Sequence, residues 1–263
     1  MSAPGKNAAN RPLRSDMART GPDRVMVRGH DLCKDILGKL SLGDMAWLEL
    51  HGTLPTQQQS IVFNALLVVL VEHGMTPMAM AARLTYLGAP ESMQAAVAAG
   101  LCGMGSAFAG TSENCAAMLA AALAPPGARD DVHATARSVV AQHATAKKLV
   151  PGIGHNIHKP VDPRAVRLFE IAAQNGYAGI HVDLLQAVGE AAQQAAQRVL
   201  PVNAAGAVGA VALDLGIDPR LCRGLAVIGR AVGLVGHLAE ELRQPLAYNL
   251  WARTDAECND PLE

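Results

Sequence analysis

The sequence predicts an all-α protein. Strand-like alternation of apolar and polar residues is almost missing from the 263-residue chain. Helix-start signals recur instead: Ser41 with Asp44, Thr56 with Gln59, Thr76-Pro77, Asp162-Pro163 and Asp218-Pro219. Half of the residues are hydrophobic and only 17% are charged, which argues against disorder and for a well-buried core.

Residues 1–22, polar and rich in Ala, Arg, Asn and Pro, read as a flexible tail with no signal peptide. Val25 to Arg28 suits a short extended piece, and Gly29-His30-Asp31 leads into a first helix beginning at Asp31. Ser41 and Asp44 start a short helix that carries Met45, Trp47, Leu48 and Leu50. After the turn Gly52 to Thr56, a long helix is expected from Gln57 to about Glu72. Its stretch from Ile61 to Val71 is apolar almost all round, which predicts burial on several sides. Thr76-Pro77 opens a helix to about Leu87, and Glu91 to Leu101 forms another. Residues 95–110 are almost entirely Ala, Gly, Ser, Met and Leu with one phenylalanine, so helix backbones can approach closely there. That composition suits a tight core and a subunit interface alike.

Thr111-Ser112-Glu113 begins a helix to about Leu123, and Pro125-Pro126-Gly127 is the clearest break in the chain. A helix from Asp130 or Asp131 reaches Leu149, followed by helices at 163–174, 181–199 and 204–215. Asp218-Pro219 restarts the chain for a last long helix to about Leu242, and Pro245 ends the pattern.

The chemistry concentrates in one short stretch, Pro151-Gly152-Ile153-Gly154-His155-Asn156-Ile157-His158-Lys159. Three helix breakers in four positions require a tight loop whose backbone comes close to something. His155 lies on that loop, and Asp162-Pro163 then caps a helix with Arg164 in its opening turn. A histidine and an arginine so spaced can face a small anionic substrate from two sides; a surface turn with incidental basic residues is the plainer alternative. Lys147, Lys148 and Lys159 flank the loop and suit either a phosphate-bearing ligand or an ordinary solvated charge cluster.

Other classes find little support. The net charge is -1 with no basic stripe, so nucleic acid is not an expected partner. The longest apolar run, Ala65 to Val71, is far shorter than the roughly 20 residues of a membrane span. Five scattered cysteines without a CxxC pair point to reduced thiols and a cytoplasmic protein. Nucleotide-binding fingerprints are absent, and no histidine–carboxylate set has zinc spacing, so neither a nucleotide cofactor nor a metal is expected.

Laid out in order, the motifs resemble those of the citrate synthase superfamily, in particular its short citryl-CoA lyases and the C-terminal module of ATP citrate lyase. The agreement runs over about residues 24–253. It rests on Arg28-Gly29-His30-Asp31, Gly38-Lys39-Leu40-Ser41, Gly52-Thr53-Leu54-Pro55, Glu72-His73-Gly74 through Arg83, Gly152-Ile153-Gly154-His155 with Asp162-Pro163-Arg164, and Gly229-Arg230-Ala231-Val232-Gly233 with His237. The resemblance implies an all-helical dimer with a large domain (23–124 and 216–263), a small domain (125–215) and a cleft that closes over substrate. It also implies chemistry on a carbon–carbon bond beside a CoA thioester, with coenzyme A as part of the substrate and a di- or tricarboxylate as the other portion. By the same likeness His155 works at a keto or hydroxyl oxygen, Arg164 and Arg230 hold carboxylate, Gly152 and Gly154 shape the loop, and the flanking lysines reach CoA phosphates. His30 and His73 fall in matched regions and are substrate-binding candidates by the same likeness, although His73, near a helix end, also suits a capping role.

The pattern breaks at two places. Short lyases of the family read Gly-Asp-His-His-Gly-Gly-Ala where this chain has Gly105-Ser106-Ala107-Phe108-Ala109-Gly110-Thr111, so the enolate-stabilising histidine is replaced by Phe108. Asn203-Ala204-Ala205 stands where the family has Asn-Val-Asp, so Ala205 replaces the carboxylate that moves a proton at carbon. Glu113 is the strongest nearby replacement on chemical grounds, although a first-turn glutamate also suits its own helix terminus. The expected function is a citryl-CoA lyase-like enzyme acting on a non-citryl hydroxy-acyl-CoA. The alternatives are an acyl-CoA hydrolase and a non-catalytic homologue that binds acyl-CoA or carboxylate.

Overall fold

The computed structural model describes residues 14–108 and 110–259, and these divide into two compact units that meet in sequence at Ser60 and Ile61. The first unit opens with a small antiparallel sheet of three strands, β1 (Ala18–Thr20), β2 (Val25–Val27) and β3 (His30–Asp31). Arg19 pairs with Met26 and Val27 with His30. Two- and three-residue strands are too short to alternate, which is why only β2 is visible as an extended piece in the sequence. Part of the expected tail is therefore a strand; residues 1–13 lie outside the described residues. Asp31 caps a single tight π-turn, Leu32–Ile36, by accepting from the N–H groups of Cys33 and Lys34. Helix α1 (Leu42–His51) begins at a full capping box between Ser41 and Asp44. Val27, Ile36 and Leu48 form the unit's apolar centre.

Helix α2 (Gln57–Val71) opens with the expected reciprocal bonds between Thr56 and Gln59. Its burial differs from expectation. Val62, Phe63, Leu66 and Leu67 are buried, while Ile61 and Val68 are 45% and 68% exposed, so one apolar stripe faces outward.

In the second unit α3 (Pro77–Gly88), α4 (Met93–Cys102) and the long α10 (Cys222–Glu241) pack together over Met78, Ala82, Ala96, Met104, Leu234 and Leu238. Gly229 and Gly233 let α10 lie against the end of α2, where a Cβ would run into the Leu67 and Val71 carbonyls. The segment Pro219–Glu241 is long and apolar enough by composition to cross a membrane. It carries buried Arg230, His237 and Glu241, however, and packs on α3, α4 and α5 (Gly110–Ala122).

The remaining helices are α6 (Val132–Thr145), α7 (Pro163–Gln174), α8 (Ile180–Ala196), α9 (Ala204–Asp214) and α11 (Ala247–Cys258). α6 packs on α8, and α7, α8 and α5 all pack on α9. α6 stops four residues before the expected Leu149, and Lys147 takes a left-handed backbone just beyond it. α11 lies past the proline read as the end of the pattern. Its cap is not local: Glu241 at the end of α10 accepts from the N–H groups of Leu246 and Ala247, both at 2.8 Å. Glu241 is itself held by the fully buried Arg83, which also bonds Glu240 and the Nδ1 of His237. The fold is thus all-α apart from the small sheet, as expected.

Candidate active site

The glycine loop is stitched to the chain entering α9. Gly154 N–H donates to the Pro201 carbonyl at 2.7 Å, Asn203 N–H to the Gly152 carbonyl at 2.9 Å, and the Asn203 amide to the Gly154 carbonyl at 2.8 Å. The other end of the Asn203 side chain caps α9 through Gly206 N–H. Gly152 and Gly154 both have left-handed φ, of 85° and 88°. Gly152 also lies back to back with Gly206, where a Cβ on either residue would stand 2.8 Å from the other's Cα. No larger pair of residues fits that crossing.

Asp162 fixes what the loop presents. Its carboxylate is fully buried and accepts from Arg164 N–H, from the Arg164 guanidinium at 2.8 and 3.0 Å, and from Ala204 N–H at 2.9 Å. Burial pushes the carboxyl pKa up, but the Arg164 and Ala204 bonds outweigh it and hold it below the ordinary 3.8. The carboxylate therefore stays charged and keeps the guanidinium flat against it, with the Arg164 Nη2 3.3 Å from His155 Nε2.

His155 has one tautomer that fits its neighbours. Nδ1 accepts from the N–H groups of Ile157 and His158, at 3.1 and 3.0 Å. The neutral ring must then carry its proton on Nε2. Burial, with the neighbouring His158 and the Arg164 charge, lowers its pKa and favours that neutral form. Two donors, the Nε2–H and the Arg164 guanidinium, thus meet at 3.3 Å, an arrangement that calls for an acceptor shared between them.

Three further groups converge here. The His73 ring stands 5.9 Å from that of His155 and 5.8 Å from that of His158, and the His155 and His158 rings are 4.5 Å apart. Burial, then the charges of Arg164, His158 and Arg230, lower the His73 pKa. Arg230, on α10, is only 7% exposed, yet its Nε and Nη1 have no hydrogen-bond partner among the described residues. Burial lowers its pKa, opposed by the charge of Glu72. A buried guanidinium with orphaned donors is costly unless an anion completes it. Behind His73, Glu72 accepts from the N–H groups of His73 and Gly74 and pairs with His237.

The structure thus brings His73, His155, Arg164 and Arg230 into one electrostatic neighbourhood. It adds His158, whose closeness to His73 is a long-range contact that local sequence does not reveal. Glu113 is paired instead with Arg223 at 2.6 Å. Phe108 lies in the turn before α5 and is half exposed, and Ala205 sits in the first turn of α9. Lys147, Lys148 and Lys159 are exposed, and His30 lies in β3 of the first unit. One nitrogen from each of His73, His155 and His158 lies within 4.8 Å of the others, a grouping a metal ion could use and which sequence spacing did not suggest. A metal on His155 Nε2 would need the proton on Nδ1, where two backbone N–H groups already point.

The sequence profile of the citrate synthase C-terminal domain matches residues 38–250. No curated protein sequence matches. Among solved structures, citryl-CoA lyase from Hydrogenobacter thermophilus is similar at a TM-score of 0.78 and 32% identity, over 89% of this chain and 88% of that one. ATP citrate lyase from Methanothrix soehngenii, solved with citrate and coenzyme A, gives a TM-score of 0.75 and 21% identity over 92% of this chain but 42% of its own. Citrate synthase from Thermoplasma acidophilum gives 0.64 and 17% over 78% and 54%. The last two likenesses speak to the fold alone.

The Asp162 node carries a pH-dependent prediction. A carboxyl whose folded pKa is depressed contributes stability above its unfolded pKa and loses it as pH falls through the folded value. Asp162→Asn should therefore cost on the order of 2 kcal/mol at pH 7. Urea titrations should find that gap closing as pH drops below the ordinary 3.8; a gap that persists unchanged in acid would contradict the assignment.

Proposed function

The chain belongs to the citrate synthase family, and from that premise we propose that it is a citryl-CoA lyase-like enzyme. Its reaction breaks or forms a carbon–carbon bond beside a CoA thioester, on a hydroxy-acyl-CoA with a carboxylated end. The observation that carries this reading is Arg230, a buried cation whose Nε and Nη1 await an acceptor. Arg164, held by Asp162, offers a second cationic grip, and His155 Nε2–H aims a neutral donor at the oxygen between them. On synthesis that donor polarises a keto oxygen and stabilises the negative charge that develops there. The exposed Lys147, Lys148 and Lys159 supply positive charge for the CoA phosphates, and residues 125–215 form the small domain that closes over substrate.

Thermal stabilisation by citrate or oxaloacetate should be abolished in Arg230→Ala and Arg164→Ala. Thiol release and product masses across an acyl-CoA panel should reveal paired ketone and acyl-CoA products. Unchanged stabilisation in both variants would remove the carboxylate grip. Free acid and CoA as the only products would indicate a hydrolase, and ligand protection without any turnover a binding protein.

Phe108 and Ala205 set the acyl specificity in this reading. Losing the histidine alone or the carboxylate alone would leave a polar partner unpaired in a closed pocket, whereas losing both lets the volume become apolar. The half-exposed Phe108 ring offers surface for an acyl group bulkier than acetyl. Phe108→His with Ala205→Asp should raise citryl-CoA cleavage while either change alone does little. A wild type that already cleaves citryl-CoA at about 10 per second, a typical enzyme turnover, would sink this account.

The chain is further proposed to act as a homodimer through its small-residue helices. Ala95, Ala98 and Cys102 lie exposed on α4, as do Ala117 and Ala121 on α5. Light scattering at micromolar concentration should give twice the 27.4 kDa chain mass, and a monomer there would rule the pairing out.

A further inference from the structure

We propose that His158 reads the hydroxyl group of the ligand, accepting its hydrogen bond at Nε2. The assignment rests on the carboxylate-pocket reading above and names a residue that reading does not use. His158 Nε2 is shielded from solvent and has no hydrogen-bond partner among the described residues. Its ring stands 4.5 Å from His155 and 5.8 Å from His73.

The triangle is small enough for one oxygen to reach all three rings. One nitrogen of each ring lies within 4.8 Å of the other two, so a point exists about 2.8 Å or less from all three (4.8 Å divided by √3). That is hydrogen-bond length for an oxygen.

The polar inventory selects which oxygen. A carboxylate oxygen only accepts, and the pocket already offers it donors from Arg164, Arg230 and His155 Nε2–H. A hydroxyl must also donate. Asp162 already accepts from Arg164 and Ala204, and Glu72 from His73, Gly74 and His237, so neither carboxylate is the free acceptor. In its Nδ1–H tautomer His158 supplies that acceptor at Nε2. A hydroxyl oxygen placed between the rings accepts from His155 and donates to His158, which satisfies both.

Citrate and tricarballylate, its analogue without the hydroxyl, separate this role from general anion binding. Calorimetric titration of the full chain should find citrate about tenfold tighter than tricarballylate in the wild type. His158→Ala and the ring-preserving His158→Phe should bring the two affinities together, with tricarballylate binding held within about twofold. Arg230→Ala should weaken both ligands alike. A citrate preference that survives in both His158 variants overturns the assignment while leaving the carboxylate pocket intact. If the wild type binds neither compound, the pocket reading fails and His158 loses its role with it.

Discussion

The buried carboxylate of Asp162 joins parts of the chain that local sequence keeps separate. It caps α7, receives Ala204 N–H at the start of α9 and clamps the Arg164 guanidinium, all through two oxygens. Because burial alone would favour its neutral form, the charge survives only while those donors stay in place. The direction of Arg164, its approach to His155 and the seating of α9 against the glycine loop are therefore one arrangement. Neutralising the carboxylate loosens all of them together.

Donors outnumber acceptors in the pocket this node supports. His155 is held neutral with its proton outward, Arg164 is half spent on Asp162, and Arg230 is buried with two nitrogens unanswered. Such a surplus suits an anionic, oxygen-rich ligand, and the helices that create it are stabilised elsewhere, by the Arg83 network and the α3–α4–α10 core. Phe108 and Ala205 change the other side of the chemistry. On the proposed reading they remove proton-carrying groups and leave the anion-binding groups intact, which would separate recognition from turnover.

Much of the fold was legible because its signals are local. Capping side chains and first-turn prolines marked α1, α2, α3 and α7, and α7 occupies the expected residues. The glycine loop, His155 and Arg164 were legible for the same reason: three helix breakers leave the backbone few choices. The unread parts depend on distant partners. α11 is capped by Glu241, five or six residues back and itself held by Arg83, and β1 exists only by pairing with β2. His158 stands beside His73, a contact between the loop and the residues just past α2 that nothing local marks. Glu113 read as a replacement acid or a first-turn glutamate, and its pairing with Arg223 of another helix is a contact that local sequence does not mark.

The crossing of Gly152 and Gly206 bears on any attempt to redesign the pocket. Each residue occupies the space that the other's side chain would need, so the two positions are not independent variables. A library that randomises the loop one codon at a time samples only broken geometries there, however permissive its selection. The useful diversity lies at side chains away from that crossing: His158 on the loop, Phe108 in the turn before α5 and Ala205 in the first turn of α9. The loop path must therefore be inherited whole, and on the proposed reading specificity is retuned from those side chains.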